Sequence, residues 1–120
     1  MRERDVKHSI RVALGRKPDL TLWNNPVGET TYDRGPGKLA ARVRYGLVRG
    51  AADLVGILGP SGRWFCLEVK APRQRTSRKH AEEQRLFAEI VRSRGGFAAT
   101  VSSENEALAA YERARKGACK

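Results

Sequence analysis

The sequence predicts an α/β fold: a single domain with a central mixed β-sheet flanked by helices. Short apolar runs, among them Ala52–Leu58, Arg63–Lys70 and Phe97–Val101, have the length and the β-branched or aromatic content of strands. They are interleaved with longer stretches whose apolar residues recur at helical spacing, which is the pattern of layered helices and strands. The chain has 120 residues, of which 40% are hydrophobic. That suffices for one ordinary core and argues against disorder.

Taken in order, Arg4–Leu14 reads as a helix, with Val6, Ile10, Ala13 and Leu14 on one stripe and Gly15 as the stop. Asp19–Asn24 is a short strand. Residues 26–37 hold Gly28, Gly35, Pro36 and Gly37, so a mobile loop is expected. Leu39–Leu47 reads as a further strand, closed by Arg49-Gly50. The two central strands follow, joined through Gly59-Pro60-Ser61-Gly62. After a basic loop, Ser77 is positioned to cap a helix over Arg78–Arg94, which Gly95-Gly96 ends. Phe97–Val101 is the last strand. Ser103 caps a final helix to about Lys116, with Glu106 placed to complete a capping box. The domain is expected to span residues 1–116, with 117–120 a flexible tail.

The central strands carry groups that a chain needing only to fold would not place there. Asp53 lies in Gly50-Ala51-Ala52-Asp53-Leu54, and Glu68 and Lys70 lie in Leu67-Glu68-Val69-Lys70. A buried ionisable group costs several kcal/mol unless it is paired or holds a metal. Side chains alternate faces along a strand. Asp53 therefore shares a face with Val55 and Ile57, and Glu68 and Lys70 share one with Trp64 and Cys66. If the two strands are neighbours, the carboxylates converge, and Lys70 stands about 7 Å along the strand from Glu68. Asp53, Glu68, the Val69 carbonyl and water make a hard-oxygen donor set suited to Mg²⁺ or Mn²⁺.

Other polar residues fall beside this set. Glu3 lies on the inward stripe of the first helix. It is either a first-turn acid favoured by the helix dipole or a further metal ligand, directly or through water. Gln84 precedes Phe87 by three and Val91 by seven, which puts it on the core side of its helix, where its amide needs a partner. His80, one turn earlier, reads as a rim or phosphate-contacting residue rather than a ligand. Trp23 and Trp64 read as sheet-packing residues.

The formal charge of +11 biases the chain toward polyanions. Arg42, Arg44 and Arg49 precede Asp53, and Arg73, Arg75, Arg78 and Lys79 follow Lys70. Such clusters hold phosphates without reading sequence. Cys66 and Cys119 are poor disulfide partners, which suits a reducing compartment. No apolar run approaches the roughly 20 residues of a membrane span, and the charged N-terminus is unlike a signal peptide. An intracellular, cytoplasmic protein is expected.

Asp53, Glu68-x-Lys70, a helical acid before them and a helical glutamine after them resemble the PD-(D/E)XK nuclease superfamily. The order Glu3, Asn24-Asn25-Pro26-Val27-Gly28, Gly50-Ala51-Ala52-Asp53-Leu54, Glu68-Val69-Lys70, Arg75-Thr76-Ser77, Gln84, Gly95-Gly96 and Phe97–Val101 is similar to its VRR-NUC branch. Ala52 stands where that branch usually has proline. The resemblance implies a restriction-endonuclease-like α-β-β-β-α-β core in a stand-alone module of phage or bacterial type. It also implies a homodimer acting on branched DNA of the Holliday-junction or flap type. Glu3, Asp53, Glu68, Lys70 and Gln84 are then the catalytic set. Lys70 positions the attacking water and offsets developing charge, and Gln84 orients Lys70 or the nucleophile. Two other readings stand beside it. One is a nicking or restriction-type enzyme acting on plain duplex. The other is a non-enzymatic basic nucleic-acid-binding protein, in which Asp53 and Glu68 are salt-bridged to Arg42, Arg44 or Lys70.

Overall fold

A computed structural model describes residues 2–120. The chain runs α1 (Glu3–Leu14), β1 (Leu20–Asn24), β2 (Gly28–Tyr32), β3 (Ala41–Tyr45), β4 (Leu54–Leu58), β5 (Arg63–Val69), α2 (Arg78–Ser93), β6 (Phe97–Val101) and α3 (Glu104–Arg115). Four strands form a mixed sheet in the order β1-β4-β5-β6, and β2 and β3 form a two-stranded sheet of their own. The pairs β1·β4 and β4·β5 are antiparallel, and β5·β6 is parallel. A parallel neighbour needs a crossover, and α2 supplies it. The molecule is one small α/β domain, as its alternating pattern predicts.

Strand parity divides the sheet into two unequal faces. Leu54, Leu58, Phe65, Leu67, Val69, Phe97 and Val101 point to one side, where they bury against Val6, Ile10 and Leu14 of α1 and Ala107, Ala110 and Tyr111 of α3. Each large apolar side chain taken fully out of water there contributes roughly 1.5–3 kcal/mol. The Phe65 and Phe97 rings stack with centroids 5.2 Å apart. The other face is covered by α2 alone, whose Val91 and half-buried Phe87 pack over Ala52, Cys66 and Ala98. Burial pushes the Cys66 thiol up to about 12, and both cysteines are free. Trp23 on β1 and Trp64 near the start of β5 remain 52% and 49% exposed. They are sheet residues, as expected, but α2 does not reach over them.

Capping follows the sequence closely. Ser77 Oγ accepts from the His80 N–H at 3.1 Å, and Ser103 Oγ accepts from the Glu106 N–H at 3.1 Å. Glu106 reaches back to the Ser102 N–H, one residue before the cap. Three expectations change. Residues 28–32, expected within a loop, form β2, because Thr30, Thr31 and Tyr32 favour extended backbone and pair with β3. Asp53 and Lys70 each sit one residue outside a strand rather than within it. Residues 117–120, expected to be a free tail, are tied down. The Cys119 carbonyl accepts from the Ala98 N–H at 3.0 Å, and the Arg63 guanidinium bonds the carbonyls of Gly95, Ala114 and Ala118. Among the described residues no helix is long and apolar enough to cross a membrane.

Candidate active site

The β4–β5 hairpin turns through Gly59–Gly62, and its register pairs Leu54 with Leu67. Continuing that antiparallel register by one residue sets Asp53 opposite Glu68. Directly opposed like charges destabilise a sheet, so this position works against the fold. Asp53 is nevertheless well held. Its Oδ2 accepts from the Val69 N–H at 2.8 Å, extending the ladder through a side chain. Its own carbonyl accepts from the Asn25 N–H at 2.7 Å. The Asn25 Nδ2 donates to the Ala52 carbonyl at 3.0 Å, so the asparagine pins the backbone on both sides of the approach to Asp53.

Glu68 is the most perturbed acid of the site. Burial, and then the charge of Asp53, push its carboxyl up to about 8, with Glu3 adding to the rise and Lys70 opposing it. Its Oε1 accepts from Gln84 Nε2 at 2.8 Å and stands 3.6 Å from Lys70 Nζ. Its Oε2 is buried with no hydrogen-bond partner. Buried oxygens are nearly always satisfied, so this one marks a place where a donor or a cation belongs. The Gln84 amide also contacts His80 Nε2 at 3.1 Å. An amide NH₂ has two protons to give. Donation to both neighbours leaves the His80 Nδ1 to carry its proton toward Glu83, 3.8 Å away.

Gly50 brings α2 to these groups. It has φ +83°, and a Cβ there would lie 2.4 Å from the Glu83 carbonyl carbon. Only glycine combines that backbone with so close an approach. The contact falls one residue before Gln84, the residue that α2 contributes to the acid pair.

Asp53 and Glu68 line a cleft of about 800 Å³ whose walls include Arg44, Arg49, Lys79 and His80. Of the sequence-predicted site residues, the structure thus brings together Asp53, Glu68, Val69, Lys70 and Gln84. Val69 meets Asp53 through its N–H, a contact the sequence reading did not include. Glu3 is half-buried at the start of α1, near enough for its charge to act on Glu68. Among the described residues no three His, Cys, Asp or Glu side chains gather as a ligand set; the acids form a pair. Arg42, Arg73, Arg75 and Arg78 are exposed and do not line the cleft. Arg44 pairs with Glu29 at 3.0 Å, not with Asp53 or Glu68. Asn25 and Gly50 escaped the sequence reading as site residues. Asn25 acts through backbone groups, and only the Gly-x-x-Asp spacing hints at Gly50.

No family model matches the chain, and no curated protein matches it.

Proposed function

We propose that the cleft is the active site of a divalent-metal-dependent nuclease that hydrolyses phosphodiester bonds in DNA. One observation carries this reading: Asp53 and Glu68 oppose each other on the wall of a cleft lined by cations, and Glu68 Oε2 is buried without a partner. A cation fits that arrangement. It would satisfy the orphaned oxygen and offset the burial and the Asp53 charge that together push the Glu68 carboxyl up. Asp53 and Glu68 would hold it, with Glu3 and the Val69 carbonyl as the further donors that the sequence supplies. When bound, Mg²⁺ or Mn²⁺ lowers the pKa of water and offsets charge on a phosphoryl oxygen. The chain's own part is positional. The Val69 N–H fixes the Asp53 carboxylate, and Gln84 holds Glu68 in the rotamer that also meets Lys70. The Lys70 ammonium offers a positive charge to a phosphate entering the cleft.

The finer reading is a cytoplasmic, structure-selective endonuclease of VRR-NUC type that cuts Holliday junctions or flaps as a homodimer. Its support is the ordered motif set together with symmetry, because symmetric cutting of a junction requires two sites related by a two-fold axis. The Lys70–Glu68 contact favours a second reading, in which it is a structural ion pair in a non-enzymatic nucleic-acid-binding protein. That reading accounts for Asp53 through its bond to the Val69 N–H, but leaves the buried Glu68 Oε2 without a partner. Labelled plasmid, flap, fork and four-way-junction DNA, incubated with EDTA, Mg²⁺ or Mn²⁺, test the proposal. Metal-dependent cutting that disappears in Asp53→Ala/Glu68→Ala is expected. Cutting that survives in the double variant, or DNA binding with no cutting in either metal, rejects it.

A further inference from the structure

The β2–β3 ribbon carries more positive charge than a structural element needs. Its register pairs Glu29 with Arg44 and Thr31 with Arg42, so these four side chains share one face. Tyr32, Val43 and Tyr45 share the other, and Tyr45 folds over Gly28, where a Cβ would lie 2.5 Å from its hydroxyl. The ribbon stands at the wall of the cleft, since Glu29 and Arg44 of the charged face and Tyr45 of the other line it together with Asp53 and Glu68. Arg44, Arg42 and Arg49 together hold the Glu29 carboxyl below its ordinary value. Glu29 therefore neutralises only one of three neighbouring guanidinium groups. Arg34 and Lys38 add two more cations in the turn that joins the strands.

From this arrangement we infer that the ribbon is an arm that grips double-stranded DNA leading away from the bond to be cut, through the phosphates of one strand. The inference rests on the nuclease reading of the cleft and narrows its substrate to DNA with a duplex arm. Arg42 and Arg44 stand two residues apart on a strand, about 7 Å, close enough to reach phosphates of one strand together. Five-residue strands in a hydrogen-bonded ladder hold those cations in a straight row. A duplex backbone is already ordered when it meets cations of fixed spacing, whereas a flexible single strand must first be ordered.

The test is binding of the full chain to a short blunt duplex and to one of its single strands, in EDTA, over a salt series. Each phosphate contact contributes about 0.9 to the slope of log K against log salt on B-DNA. Arg42→Ala/Arg44→Ala should therefore flatten the duplex slope by about 1.8 and leave the single-strand slope unchanged. Arg42→Lys/Arg44→Lys should restore it. Arg94→Ala/Lys116→Ala removes the same charge at the far end of the sheet and should change neither slope. With Mn²⁺ present, the ribbon variant should raise KM on duplex-bearing substrates while kcat holds. An unchanged duplex slope, an equal loss on single strands, or the same loss in the far-end variant would overturn the arm. A change confined to the molecular mass in solution would overturn it too, by assigning the ribbon to contact between copies. None of these binding outcomes depends on cleavage, so failure of the nuclease reading shows separately, as wild-type protein that does not cut in Mn²⁺.

Discussion

Replacing Glu68 by glutamine removes one charge, keeps the shape and should make the protein more stable at alkaline pH. In the unfolded chain the Glu68 carboxyl ionises near 4.5, whereas in the fold it does so at about 8. Between those values the folded state holds a proton that the unfolded state has released, so stability falls as pH rises through the interval. At 1.36 kcal/mol for each pH unit, the loss is at most about 5 kcal/mol. The side chain is only 12% exposed, so little of this is screened by solvent. Urea unfolding followed by tryptophan fluorescence from about pH 5 to pH 9 should show the wild type losing a few kcal/mol relative to Glu68→Gln. The two should agree at the acid end. Saturating Mn²⁺ should restore the alkaline stability of the wild type and leave the variant unmoved. Parallel curves for the two proteins would refute the reasoning, since they would mean that Glu68 is neither desolvated nor repelled by Asp53.

Three further substitutions separate position from chemistry. Gly50→Ala combines an unfavourable φ with a Cβ 2.4 Å from the α2 backbone, and should cost about 1–3 kcal/mol or more in urea unfolding. Gly95→Ala, at φ +88° with nothing within 4 Å, should cost only the backbone term of about 1–2 kcal/mol. Equal losses would contradict the close approach of α2 to Gly50. Gln84→Ala leaves Glu68 without its amide donor and should slow cleavage about 10–100-fold while the fold stays intact. Single-turnover rates at saturating metal measure this, and an unchanged rate would remove Gln84 from the site.

How far the sequence foretold this molecule depends on the kind of signal each part carries. β4, β5 and β6 are buried strands, and their apolar runs declare them. α1 is read from Val6, Ile10 and Leu14, whose spacing is that of its buried stripe. The opposition of Asp53 and Glu68 was legible because parity sets their faces and the short Gly59–Gly62 turn leaves little freedom of register. The ribbon was not. All of β2 except Gly28 is exposed, so no burial rhythm marks it, and glycine and proline around it read as loop. Asn25 was hidden for another reason: its backbone N–H and its amide both bond backbone carbonyls of residues 52–53, and such contacts leave no residue pattern. Arg63 reads as a strand residue, yet its clamp on residues 95–118 depends on tertiary proximity that no local window contains. The exposure of Trp23 and Trp64 follows from where α2 settles across the sheet, which parity alone does not determine.

Calorimetric titration of Mn²⁺ into the wild-type chain and into Asp53→Asn/Glu68→Gln bears most directly on the proposal that these two acids hold a divalent cation. The wild type should bind saturably and, below about pH 8, release close to one proton for each ion as Glu68 ionises. The double variant, with both amides unable to carry charge, should bind no ion at the same concentrations. Equal binding by the two proteins, or none by the wild type, would contradict it.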